Sequence, residues 1–130
     1  MDENKKVLIL VVEDEKILAD TLKERLESEG FKVTNAYDGL EGYNLAITEH
    51  PDLILLDLLL PKVDGLSMLK KLREDSWGLH AKIIILTNVS DPTKVAEGMK
   101  IGVGDVYEYL VKTNWSLDYV VARIKKRLKI

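Results

Sequence analysis

Short apolar runs alternate with stretches of helical period along the whole chain. Residues 7–12 (VLILVV) form an unbroken aliphatic run rich in β-branched residues, the pattern of a strand covered on both faces. Over residues 15–29, Ile17, Leu18, Leu22 and Leu26 recur at helical spacing on one face, and Gly30 supplies the permissive stop. A second strand is predicted at 32–36. A weaker helix follows at 40–49, with Leu40, Tyr43, Ala46 and Ile47 inward, Gly42 as an interruption and Pro51 beyond its end. Residues 53–56 give a third strand that ends at Asp57. After a turn at 61–65, Leu66, Leu69 and Leu72 mark a third helix, and 77–80 reads as an irregular connection. The fourth strand, 83–86, ends at Thr87. Asp91-Pro92 then opens a helix that closes near Gly102, with Asp as cap and Pro in the first turn. A fifth strand at 107–111 ends at Lys112, and Leu117, Val120, Val121, Ile124 and Leu128 stripe a final amphipathic helix.

Five strands alternating with five helices predict a doubly wound α/β fold, a parallel sheet with helices on both faces. A length of 130 residues allows one domain with a sizeable core, and no repeat, low-complexity segment or linker divides 1–130. With 46% hydrophobic and 32% charged residues the chain is expected to fold rather than remain disordered. A net charge of −3 gives no basic field for direct nucleic-acid binding. The apolar runs at 7–12 and 53–61 are too short to cross a membrane, and no signal-peptide pattern opens the chain. Without cysteine there is no disulfide and no thiolate metal site, which fits a cytoplasmic location.

The chemistry gathers at strand ends. Glu13 and Asp14 follow the first strand, Asp57 ends the third, Thr87 the fourth and Lys112 the fifth. In a parallel sheet these carboxyl ends share one edge, where open α/β folds bind ligands. Any one such residue alone is well explained as the point where a strand leaves the core. Together they are better explained as a site. Three carboxylates in one pocket must raise a pKa or hold a cation. An oxygen-only donor set without His or Cys suits Mg²⁺ better than Zn²⁺. Beside such a metal a carboxylate can attack phosphorus, while a lysine and a hydroxyl stabilise the transferred group.

The stretches Val11-Val12-Glu13-Asp14-Glu15, Leu56-Asp57-Leu58-Leu59-Leu60-Pro61-Lys62-Val63-Asp64-Gly65, Leu86-Thr87 and Tyr109-Leu110-Val111-Lys112 resemble the signature of the receiver domains of two-component response regulators. The resemblance runs from about Lys5 to Leu128. It implies a flavodoxin-like fold with strand order 2-1-3-4-5, an order for which a chemotaxis receiver is already a standard example. It also implies Asp57 as phospho-acceptor from a phosphohistidine of a sensor histidine kinase or phosphotransfer protein. Asp14 would ligate Mg²⁺ directly, Glu13 would assist through water, and the Leu59 carbonyl would complete the protein's share of the shell. Thr87 would bind a phosphoryl oxygen and Lys112 would pair with the phosphate. Tyr109 occupies the position of an aromatic rotamer switch, and a Tyr beside Leu110 also suits simple strand packing. The implied output is a partner-binding surface near the last two helices, for a homodimer, a downstream protein or a fused output domain.

Several positions depart from the family pattern. Thr113 follows Lys112 where proline is usual, and a cis bond there would cost about 3 kcal/mol or more. Asn88 replaces a small residue after Thr87. Leu59 and Val89 bring apolar side chains to the flanks of the site, an arrangement expected to leave an attacking water unoriented and the phosphoryl group long-lived.

Other features carry less. Gly102-Val103-Gly104 lacks the third glycine of a dinucleotide fingerprint and reads as a turn. His50 and His80 read as surface or loop histidines, Trp77 and Trp115 as partly buried edge caps. The tail holds Arg123, Lys125, Lys126, Arg127 and Lys129 against Asp118, charges that complement a helix C-terminus and are too few for a nucleic-acid signal. A haloacid-dehalogenase-type enzyme would need an acid/base Asp where Leu59 stands. A flavin-binding flavodoxin would be repelled by Glu13 and Asp14 in its phosphate loop. A degenerate receiver serving only as an interaction module is the remaining alternative. The expected role is a phospho-acceptor switch, not a turnover enzyme. No effector segment follows the final helix, so the chain is expected to be a stand-alone regulator or a part of a larger one.

Overall fold

The computed structural model describes residues 6–87, 106–111 and 116–130. The expected helix at 91–102 lies outside them, as do Asn88, Val89, the turn at 102–104, Lys112, Thr113 and Trp115. The described elements are β1 (Leu8–Val12), α1 (Lys16–Ser28), β2 (Lys32–Ala36), α2 (Gly39–Glu49), β3 (Leu53–Leu56), α3 (Gly65–Arg73), a 3₁₀ turn (Gly78–His80), β4 (Ile83–Thr87), β5 (Val106–Val111) and α4 (Leu117–Leu128). All strand pairs are parallel and the sheet order is β2-β1-β3-β4-β5. This is the α/β flavodoxin-like arrangement that the resemblance implies, with four of the five expected helices among the described residues.

The near-continuous aliphatic runs are explained by position. β1, β3 and β4 lie inside the sheet, and their side chains alternate between two hydrophobic layers. Leu10, Val12, Ile54, Leu56, Ile83 and Ile85 pack with α2 and α3 on one face. Ile9, Val11, Leu53, Leu55, Ile84 and Leu86 pack with α1 and α4 on the other. Each fully buried aliphatic side chain contributes about 1.5–3 kcal/mol of transfer free energy, which makes these layers the main source of stability.

Side-chain caps start three of the helices. Asp38, Asp64 and Ser116 accept from the backbone N–H of Glu41, Ser67 and Tyr119 at 2.7, 2.9 and 3.2 Å. Helix α1 lacks such a cap. Gly30 closes it in the left-handed region at φ 96°, as the sequence predicts.

Two inward assignments are corrected. Ile17 is 86% exposed and Leu40 is 43% exposed. The core face of α1 is set by Ala19, Leu22 and Leu26, and at roughly 100° per residue Ile17 lies about 140° from Leu22. In α2 the inner face is Gly39, Gly42 and Ala46, which turns Leu40 outward. Gly42 therefore does more than interrupt a helix: a Cβ there would stand 2.9 Å from Val12 Cγ1 and 3.1 Å from Met68 Sδ.

The connection expected to be irregular is ordered as the 3₁₀ turn. Arg73 Nη1 donates to the carbonyls of Gly78 and Ala81 at 2.6 and 3.0 Å, and Asp75 accepts from Trp77 and Gly78 N–H. Trp77 is partly buried and stacks on exposed His50 at 4.5 Å. Among the described residues no helix is long and apolar enough to cross a membrane.

Candidate functional site

Parallel pairing brings the strand ends level. Val12 pairs with Leu56, and the Asp57 N–H donates to the Val12 carbonyl at 3.0 Å, so Glu13 and Asp57 leave neighbouring strands at the same height. Glu13, Asp14 and Asp57 each offer a carboxylate oxygen, and these oxygens lie within 4.8 Å of one another. Glu13 and Asp57 are buried, at 2% and 4% exposure, while Asp14 faces solvent. Like charges this close repel strongly where little water screens them, so the cluster favours a bound cation. An all-oxygen set with one solvent-facing member fits a hard divalent ion that keeps part of its water.

Local backbone bonds hold the acids in place. Oε2 of Glu13 accepts from the Glu15 N–H at 3.0 Å, and Oδ1 of Asp57 accepts from the Leu59 N–H at 3.1 Å. The loop after β3 closes when the Gly65 N–H donates to the Leu58 carbonyl at 2.9 Å. Only glycine fits at that closure, because a Cβ on Gly65 would lie 2.3 Å from the Asp57 carbonyl oxygen. Next to it the Asp64 carboxyl is held below its ordinary range, chiefly by the Ser67 backbone N–H. Leu59 leaves its side chain 60% exposed at the rim.

Thr87 ends β4 fully buried. Leu56 pairs with Ile85, so Thr87 stands on the same sheet edge as Asp57, and Val111 of β5 lies opposite Thr87. The structure thus gathers Glu13, Asp14 and Asp57 and puts Thr87 on their edge. Lys112 and the Tyr109 side chain fall outside the described residues. The sequence pattern alone gives Gly39 no role and marks Gly65 only as the end of a turn and of the signature. The signal for them was present: Asp-Gly occurs at 38–39 and again at 64–65, each time as a helix cap followed by a glycine under close contact.

The basic tail is partly committed elsewhere. Lys125 Nζ donates to Glu29 at 2.7 Å, and Arg25 bridges Glu29 at 3.1 Å and Asp118 at 2.7 Å, joining α1 to α4. The two cations hold the Glu29 carboxyl below its ordinary range, Lys125 most strongly.

A family model for the response regulator receiver domain matches residues 9–125. The transcriptional regulatory protein DltR of Streptococcus agalactiae is 40% identical over 121 residues, which is 93% of this chain and 51% of that protein. The chain therefore spans about half the length of this curated relative. Among solved structures, a response regulator receiver domain from Francisella is 32% identical with a TM-score of 0.82, covering 94% of this chain and 96% of its own. The receiver domain of a Pseudomonas aeruginosa sensor histidine kinase, described with a magnesium ion coordinated in its active-site cleft, is 26% identical. Its TM-score is 0.83, with 94% of this chain and 97% of that one covered.

Proposed function

The chain belongs to the response regulator receiver domains of two-component signalling, and on that premise we propose that Asp57 accepts a phosphoryl group with the help of Mg²⁺. The observation that carries this reading is the cluster of Glu13, Asp14 and Asp57 oxygens within 4.8 Å at the carboxyl edge of the sheet. The donor is a phosphohistidine of a sensor histidine kinase or of a phosphotransfer protein. An Asp57 oxygen forms the new O–P bond as the N–P bond breaks, and the electron pair leaves with the imidazole nitrogen, which takes up a proton.

Asp14 and Asp57 would hold Mg²⁺ directly, with Glu13 assisting through water and the Leu59 carbonyl completing the protein's share. Bound Mg²⁺ would neutralise charge building on the phosphoryl oxygens. Thr87 donates its hydroxyl to one of those oxygens and Lys112 pairs with another, with Tyr109 turning inward as they close. The added charge and acceptors bias a two-state surface near the last two helices. That surface meets a downstream protein, a fused output domain or a second copy of the chain. Residues 1–130 act as one cytoplasmic receiver unit. The unit is a phospho-acceptor switch whose only chemistry is its own phosphorylation and dephosphorylation.

Intact-mass measurement tests this directly. Wild type and Asp57→Asn are treated with beryllofluoride or acetyl phosphate, with and without Mg²⁺. A Mg²⁺-dependent adduct on wild type alone is the expected result. No adduct on a folded wild type would leave a degenerate interaction module.

A further inference from the structure

Lys62 is not glycine, yet its backbone sits in the left-handed region at φ 64°. Bulky residues adopt this conformation at a cost, so something must hold it there. Its ammonium lies 3.5 Å from Oδ2 of Asp38, whose side chain is only 15% exposed and whose Oδ1 caps α2 through the Glu41 N–H. The two segments also touch along the backbone: the Gly39 N–H donates to the Pro61 carbonyl at 3.4 Å, and a Cβ on Gly39 would lie 1.7 Å from the Val63 carbonyl oxygen. The loop that begins at Asp57 and Leu59 is thereby fastened at its far end to the start of α2.

We infer that Asp38 and Lys62 form a latch that positions the Leu59 segment for the cation, and so are positioning residues for Mg²⁺ binding. The inference rests on the metal reading given above. An ion pair whose lysine is 68% exposed adds little to global stability, so its consequence lies in where the loop sits.

For Lys62, charge alone and a latch predict opposite signs. Removing the Lys62 cation would by field effect tighten Mg²⁺ binding, whereas losing the latch weakens it. Calorimetric Mg²⁺ titrations at low salt should therefore show Lys62→Ala and Asp38→Asn each weakening affinity roughly two- to fivefold, the range an exposed pair supplies. Asn keeps the helix cap, so that variant loses the charge and not the cap. The double variant should be no weaker than the worse single one, and Lys62→Arg should restore affinity. Lys62→Gly suits the backbone better; it should hold or raise the melting temperature while still weakening Mg²⁺, a split that a merely structural role does not produce. Unchanged or tighter binding in Lys62→Ala overturns the latch whatever Asp38→Asn does, because losing the Asp38 charge weakens a cation by field effect alone. A folded wild type with no Mg²⁺ heat overturns the metal reading itself, and the two failures are told apart by the wild-type isotherm.

Discussion

The Leu59 N–H donates to Oδ1 of Asp57 at 3.1 Å, so the proposed acceptor is tied to its own loop by a bond that an amide oxygen can also accept. Asp57→Asn should keep that tie while removing one of three clustered charges. In metal-free buffer its melting temperature should rise by a few degrees, corresponding to about 1 kcal/mol. Mg²⁺ at millimolar concentration should raise the melting temperature of wild type and leave the variant nearly unmoved. Differential scanning calorimetry reads both. A variant that gains as much from Mg²⁺ as wild type would remove Asp57 from the metal shell.

Glycine substitutions should rank by what the new methyl meets. Gly39→Ala and Gly65→Ala drive a Cβ into backbone oxygens at 1.7 and 2.3 Å, which cannot yield without moving the loop. A loss of about 3 kcal/mol or more is expected for each. Gly42→Ala meets the side-chain ends of Val12 and Met68, and should cost about 1–2 kcal/mol. Urea unfolding curves supply the ranking.

Acid should weaken the α1–α4 junction. Lys125 and Arg25 lower the Glu29 carboxyl below its ordinary 4.5, so the unfolded chain binds that proton more readily than the folded one. The contribution is complete above the unfolded value and fades as pH falls through the lower folded value. The Asp64 carboxyl, lowered from 3.8 mainly by the Ser67 N–H, acts in the same direction at slightly lower pH. Glu29→Gln should flatten the fall of stability below about pH 4.5, and added salt should shrink the difference from wild type. Chemical denaturation across pH 3–6 measures it, and parallel curves for the two proteins would contradict the assignment.

Phosphoryl lifetime should answer to Leu59. Its exposed aliphatic side chain has no group to orient water at the rim. Loss of label from purified phosphoprotein should take minutes or longer. Leu59→Asn, which offers an amide to the water, should speed that loss about tenfold. A wild-type half-life of seconds would refute the idea.

Much of this architecture is legible because strand runs, caps and helical stripes obey different periods. The runs at 7–12 and 53–56 announced buried strands, and the acids immediately after them announced the edge. At Ile17 and Leu40 the pattern misleads for a local reason. Adjacent apolar residues on a helix point roughly 100° apart, so pattern alone does not say which of them packs. The 3₁₀ turn was hidden because Arg73 organises it through carbonyls of later residues, a relation with no periodic trace. The Asp38–Lys62 contact was hidden for a different reason: it joins segments 24 positions apart in sequence, and only the fold sets them side by side.

The sheet separates two apolar layers, one under α2 and α3 and one under α1 and α4. The layer beneath α2 and α3 carries the loop that shapes the acidic pocket, and the other carries the terminal helix. Among the described residues the two layers share no side chain, and they meet through the backbone of the strands. When copies of such a chain arise by gene duplication, the α4 side can therefore diverge toward new partners while the α2–α3 side keeps the same chemistry. The fold in this sense grants its two faces separate evolutionary clocks.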